Sequence, residues 1–121
     1  MSEEKTIAEK LDEPVAPQFI KKLPATEKRP ALDYVPAHYV VAGLNKLFGY
    51  DNWEWSIVSI DKTGEQHEPW VCHGRITVTD GEHMFYREGI GCDTDPKSAE
   101  SDAIKRAARL IGRKLGMSLY E

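Results

Sequence analysis

The side chains best suited to chemistry in this chain lie in one short basic segment, Asp102 to Leu115, which reads DAIKRAARLIGRKL. In a helix that turns about 100° per residue, its cations share one arc of about 100°. These cations are Lys105, Arg106, Arg109 and Arg113. An apolar stripe for anchoring the helix falls on the opposite side, formed by Ile104, Ala108, Ile111 and Leu115. The segment is therefore predicted to present a phosphate-binding face.

The distribution of charge along the chain supports this interpretation. The formal net charge is -4, which taken alone would repel a polyanion. Residues 31 to 100 carry twelve acidic and five basic side chains, whereas residues 101 to 121 carry five basic and two acidic ones. A solvated helix face usually mixes Glu with Lys for pairing one turn apart. Here the positive charge is concentrated, so one surface can attract phosphate while the body stays soluble.

Length and composition exclude several classes of protein. The 121 residues, 40% of them hydrophobic, suffice for one small domain. There is neither an apolar run of about 18 residues nor a signal-peptide pattern, so we expect a protein that is cytoplasmic or acts in a nucleoid or nucleus, without membrane contact. Cys72 and Cys92 form no CxxC pair, and a metal pair of His73 and His83 across a hairpin is the less favoured interpretation. No metal and no cofactor are expected.

The first thirty residues differ in composition from the rest. They contain four of the seven prolines, Pro14, Pro17, Pro24 and Pro30, which interrupt any long helix or central strand. Ile7 and Leu11 fit one short helical turn. We therefore predict a proline-rich N-terminal arm over residues 1–30 and a core domain over residues 31–121.

The core domain has the pattern of an α+β fold. A helix is predicted from Pro36 to Gly49, where the apolar residues recur with helical spacing. Three runs rich in aromatic and β-branched residues then predict an antiparallel meander, over residues 53–60, 70–79 and 82–90. With Asp80-Gly81 as a two-residue turn, Arg75 lies opposite Tyr86 and Ile76 opposite Phe85.

The basic segment belongs to the last predicted helix. Asp95 is a suitable N-cap with Pro96 at the first helical position, and the helix should run to about Leu115 before Gly116. The expected order is thus helix, three-stranded antiparallel meander and basic helix. Such a sheet leaves two strand edges unpaired, which favours self-association into a ring or filament, the alternative being a monomer with blunted edges.

Several landmarks together resemble the single-strand annealing core of the Rad52 family, which includes phage and bacterial relatives such as Sak and DdrA. They stand in the family's order: the first helix, Phe48-Gly49-Tyr50-Asp51-Asn52-Trp53, three strands, Gly89-Ile90-Gly91 and Ala103-Ile104-Lys105-Arg106-Ala107-Ala108-Arg109. The resemblance covers residues 30 to 117, and the short chain looks more like the phage and bacterial branch.

The resemblance implies a protein that anneals complementary single strands in recombination or DNA repair, without ATP and as a homo-oligomeric ring. Its partners would be single-stranded DNA, further copies of the chain and a single-strand-binding protein. By position, Lys105, Arg106 and Arg109 match the cations lining the family's DNA groove, Tyr34 matches a nearby tyrosine and Arg75 a strand position. A basic residue that the family has upstream of the tyrosine has only Lys28 or Arg29 as a substitute.

Three alternatives remain from the residues themselves. A double-stranded RNA-binding module has the same order of elements, but it would gather lysines at the start of its second helix, where only Lys97 stands. A metal-dependent nuclease could use Asp93 with Asp95, or Asp80 with Glu82 and Glu88, although Asp95 is accounted for by helix capping. A purely structural oligomer would bind no nucleic acid.

Overall fold

The computed structural model describes residues 5–27, 30–64 and 69–120. Its helices and strands, numbered in chain order, are α1 (Ile7–Leu11), β1 (Lys21–Leu23), β2 (Leu32–Tyr34), α2 (Ala37–Phe48), β3 (Trp53–Lys62), β4 (Trp70–Asp80), β5 (His83–Asp93) and α3 (Pro96–Arg109). Three short 3-10 turns complete the described elements, Pro17–Phe19, Arg113–Leu115 and Met117–Tyr120.

The N-terminal residues pack along the domain. The predicted helical turn is α1, whose start is fixed by a capping box between Thr6 and Glu9. Farther along, Val15 is 4% exposed, and its amide donates to the hydroxyl of Ser118 at 3.0 Å. Strands β1 and β2 form a two-stranded ribbon that the sequence pattern did not predict. The division of the chain at residue 30 stays a prediction.

Helix α2 joins this region to the sheet. It begins after Pro36 and ends at Gly49, whose φ of 91° favours glycine, so both predicted ends are confirmed. The helix buries Val40, Leu44 and Phe48 in the core. Beyond its end, the Trp53 indole donates to the Asn45 side chain at 2.7 Å, which fixes the start of β3 against the helix.

The three long strands form an antiparallel sheet in the order β3-β4-β5. This confirms the predicted meander and the α+β class, with each strand one or two residues longer than expected. Alternate residues of β4 point into the core, where Cys72, Ile76 and Val78 are fully buried. Arg75 lies between them in sequence and therefore faces the other side of the sheet. In the described part of the chain, β3 and β5 each pair with β4 alone.

The predicted hairpin register is wrong by two residues. Arg75 pairs with Glu88 rather than Tyr86, and Asp80 pairs with His83. The two-residue loop therefore consists of Gly81 and Glu82, because Gly81 takes the positive φ of 64° at the first loop position. A shift of two preserves the facing of every side chain. Arg75 thus still shares a face with Tyr86, and its guanidinium lies 4.7 Å from the centre of that ring.

Helix α3 begins as predicted. The Asp95 carboxylate accepts from the Ser98 amide at 2.9 Å, and Pro96 follows at the first helical position. The hydrogen bonds from Ser98, chiefly the one from its amide, hold the pKa of Asp95 below its ordinary value. The Asp95 carboxylate therefore stays ionised at neutral pH, where its negative charge also interacts favourably with the positive end of the helix dipole.

Small residues bring α3 close to the sheet. Ala99, Ala103 and Ala107 are fully buried and lie against Gly89 and Gly91 of β5. A Cβ atom added at Gly91 would lie 2.3 Å from the Ala103 nitrogen and 2.3 Å from the Ala99 oxygen. The helix backbone therefore rests directly on the strand, and the cations on its outer side are held at a fixed height above the sheet.

The predicted end of α3 near Leu115 is wrong, because the helix ends at Arg109. Gly112 adopts an extended backbone and approaches Leu11 of α1 so closely that an added Cβ would lie 2.7 Å from the Leu11 Cβ. The chain then makes a 3-10 turn that directs Leu115 into the core, where it is fully buried. A straight helix could not make both contacts.

Within the described residues, no helix is long and apolar enough to span a bilayer.

Candidate nucleic-acid interface

A small cleft forms where α3, the end of β2 and the C-terminal turns meet. Its cavity volume is only about 50 Å³. Four of the predicted site residues line it, Tyr34, Lys105, Arg106 and Arg109. Tyr34 lies about seventy positions before the three cations, so only the tertiary fold brings the four residues together.

Lys105 and Tyr34 form the first cation–aromatic pair of the cleft. The Lys105 ammonium lies 5.6 Å from the centre of the Tyr34 ring, within the range of a cation–π interaction. Tyr34 is the last residue of β2 and is 36% exposed. The pairing orders the long lysine side chain at the cleft and leaves part of the ring accessible.

Arg109 and Tyr120 form the second pair. The Arg109 guanidinium lies 4.5 Å from the centre of the Tyr120 ring, and both residues line the cleft. Tyr120 was not predicted as a site residue, because a helix continued to Leu115 gives no indication that the chain returns to α3. Its aromatic type close after a basic helix is the only signal in the sequence that could have indicated it.

Arg106 is partly neutralised by an acid on its own helix. Its Nε lies 3.0 Å from the Asp102 carboxylate, one helical turn earlier. The same carboxylate accepts from the Cys92 amide at 3.1 Å, which ties the helix to β5. Asp102 also lines the cleft, so three cations there face one carboxylate. The cleft remains positive in a chain whose net charge is -4.

Replacing Asp102 with asparagine is expected to strengthen anion binding in the cleft. The variant removes one negative charge, and the amide oxygen can still accept from Cys92. We expect affinity for single-stranded DNA to rise about two- to five-fold at low ionic strength, with the gain shrinking as salt is added. Asp80→Asn makes the same change in net charge at the hairpin, outside the cleft. Equal effects of the two variants in a fluorescence anisotropy titration would contradict this prediction.

Arg75 lies apart from the other predicted site residues. It is on the sheet face turned away from α3, where it donates to the Glu88 carboxylate at 2.9 and 2.8 Å. His73 lies 3.4 Å from the same carboxylate. Arg75, with a smaller contribution from His73, holds the pKa of Glu88 below its ordinary value. Its role as a DNA contact stays a prediction, on a surface separate from the cleft.

Arg113 does not share the helical arc on which it was placed. Because α3 ends at Arg109, Arg113 lies in the following 3-10 turn and donates to the backbone carbonyl of Asp12 at 2.7 Å. The contact links the C-terminal turn to the N-terminal segment, and Arg113 is not among the residues that line the cleft. Lys28 and Arg29, the proposed substitutes for the family's upstream base, lie outside the described residues.

Glu88 and Asp95, two of the acidic residues considered for nuclease chemistry, have structural partners. Glu88 binds Arg75, and Asp95 caps α3. The register places His83 opposite Asp80 and His73 opposite Ile90, so the two histidines lie far apart along the hairpin. Among residues 5–27, 30–64 and 69–120, no group of three or more His, Cys, Asp or Glu side chains is arranged to hold a metal ion.

Comparison with known proteins gives consistent matches. Residues 3–121 match the Rad52/22 family, described as double-strand break repair proteins. The chain is 29% identical to the DNA repair and recombination protein RAD52 of Saccharomyces cerevisiae, over 95% of this chain and 28% of the yeast protein. It is 31% identical to RAD52 of Kluyveromyces lactis, over 95% of this chain and 30% of that protein. A third relative, rhm52 of Pyricularia oryzae, is 26% identical over 96% of this chain and 24% of its own length.

The relatives reported are fungal, so they give no support to the predicted phage and bacterial branch. The chain spans less than a third of the length of these relatives. The family match, in contrast, extends over nearly all of the chain, including α1, the sheet and the basic helix. The chain therefore belongs to the Rad52/22 family of double-strand break repair proteins.

Proposed function

We propose that this protein binds single-stranded DNA in the cleft beside α3 and anneals complementary strands in recombination or repair, without ATP. The observation that carries the proposal is the convergence of Lys105, Arg106 and Arg109 with Tyr34 on one surface. Cations beside aromatic rings are the usual composition of single-strand binding sites, where phosphates are neutralised and bases stack.

The proposed mechanism needs no catalytic residue. Lys105 and Arg109 are one turn apart on α3, so they can follow neighbouring phosphates of one strand. Phosphate contacts carry no base sequence, and a strand held by its backbone keeps its bases available to a complement. The protein would accelerate annealing by holding two strands in extended, accessible form.

Self-association belongs to the same proposal. Strands β3 and β5 are edges of the sheet in the described chain, and Met84 and Tyr86 on β5 are each more than half exposed. Unpaired edges with apolar side chains favour pairing between copies. A ring would align the clefts of successive subunits along one strand.

A single-strand-binding protein is proposed as a further partner, because it would occupy the same substrate strands.

A binding competition separates this function from duplex RNA recognition. The protein is titrated into a labelled single-stranded oligonucleotide and challenged with unlabelled single-stranded DNA, duplex DNA or duplex RNA. We expect single-stranded DNA to compete at least about ten-fold better than duplex RNA, since base stacking requires unpaired bases. Stronger competition by duplex RNA, together with its loss in Lys97→Ala, would overturn the proposal in favour of the RNA-binding alternative.

A further inference from the structure

Tyr120 has properties that its packing does not explain. It is 66% exposed, whereas the preceding residue, Leu119, packs against the hydrophobic core. Among the described residues, no hydrogen bond of the Tyr120 hydroxyl is formed, and the ring's specific contact is with Arg109. A large aromatic side chain held at a cleft without being buried contributes little to folding. Its exposed ring is available to a ligand.

The geometry defines what kind of ligand fits there. Arg109 covers one side of the Tyr120 ring at 4.5 Å from its centre, which leaves the solvent-facing remainder of the ring accessible. A phosphate bound by Arg109 would place the attached nucleotide next to this ring. The ligand suited to a flat π surface beside a phosphate-binding cation is a nucleobase of the same strand.

We propose that Tyr120 is a base-stacking subsite of the cleft, which works together with Arg109 as one unit that holds a phosphate and its neighbouring base. The inference rests on the proposed function, because it assigns a ligand within the same site. Tyr34 and Lys105 form the equivalent unit one turn earlier on α3. Two such units would fix the strand at two points along the helix.

Stacking on Tyr120 is compatible with annealing. A stacked base uses its π face and leaves its hydrogen-bonding edge free for a complementary base. The contact is also tolerant of sequence, because every base has a π face. The subsite would therefore orient bases outward without selecting among them. Contacts to base edges, in contrast, would favour particular bases.

The test measures the affinity for oligothymidylate and the affinity for an abasic oligonucleotide of equal length. Both are measured for the wild-type protein and for Tyr120→Ala, Tyr120→Phe and Tyr50→Ala. Tyr50 is 82% exposed and lies outside the cleft, so it serves as the matched control. The readout is the ratio of the two affinities. We expect Tyr120→Ala to lower this ratio on the order of ten-fold, while the control and the phenylalanine variant keep it. The salt dependence of binding should stay unchanged, because no phosphate contact is removed.

Photocrosslinking with a 5-iodouracil-substituted strand gives a second readout. Mass spectrometry of the crosslinked peptide should identify Tyr120. The wild-type protein could bind single-stranded DNA while Tyr120→Ala keeps the ratio of oligothymidylate to abasic affinity and the crosslink lies elsewhere. That result would overturn the subsite and leave the proposed function intact. Failure of the full chain to bind either oligonucleotide would instead overturn the proposed function and the subsite with it.

Discussion

Replacing Lys105 and Arg109 together with alanine is expected to weaken binding of single-stranded DNA by about two orders of magnitude at low salt, where phosphate contacts contribute most. Each side chain lines the cleft and lies over an aromatic ring. Their removal takes away two of the three cations in the cleft. Each lost phosphate contact should make the negative slope of log affinity against log salt shallower by about 0.7. The loss should be equal for all base sequences, since phosphate contacts do not read bases.

The control for this prediction is Lys97→Ala. Lys97 lies on the same helix and is exposed, but it is two turns away from Lys105 and outside the cleft. It should change affinity by less than about two-fold, whereas Lys105→Arg should keep most of the binding because the positive charge that binds phosphate is retained. An anisotropy titration at several salt concentrations measures all three variants. A double alanine variant with wild-type affinity and salt slope would refute the assignment of the cleft.

Replacing Gly91 with valine is expected to destabilise the domain by about 3 kcal/mol or more. The first atom of any side chain there meets the backbone of Ala99 and Ala103 at 2.3 Å. Backbone atoms cannot move aside as a flexible side chain can, so α3 must lift from β5. Because small domains are stable by only about 5–15 kcal/mol, the change is a large share of the total. Lifting α3 would also displace Lys105 and Arg109 from the cleft.

Ile90→Val is the matched control for Gly91→Val. Ile90 is adjacent in sequence but faces the opposite side of the sheet and is 60% exposed. It should change stability by no more than about 0.5 kcal/mol. Chemical denaturation followed by tryptophan fluorescence gives the midpoint for each variant. If Gly91→Val unfolds at the wild-type midpoint, the close contact between α3 and the sheet is wrong.

Local patterns were sufficient to predict most elements that position the cleft. The spacing of apolar residues between Pro36 and Gly49 predicted α2, and runs of aromatic and β-branched residues together with a turn signal predicted the three strands. Asp95 followed by Pro96 fixed the start of α3, because capping depends on residues close in sequence. The charge pattern together with the resemblance identified Lys105, Arg106, Arg109 and Tyr34, which the structure brings together.

Features that depend on contacts distant in sequence could not be predicted in the same way. The end of α3 depends on Gly112 meeting Leu11, about one hundred residues earlier. Helical spacing continues through Leu115, so nothing local indicated the break or the return of Tyr120 to the cleft. The predicted hairpin register was wrong for another reason. Asp80-Gly81 and Gly81-Glu82 are both possible two-residue loops, and only the pairing of the strands selects one.

Annealing itself is the most direct test of the proposed function. Two complementary oligonucleotides carrying a donor and an acceptor dye are mixed with and without the protein, at low and moderate salt and without ATP or metal ions. We expect a protein-dependent acceleration that is lost in the Lys105→Ala/Arg109→Ala variant and kept in Lys97→Ala. No acceleration by the wild-type protein, or the same acceleration by the double variant, would contradict the proposed function.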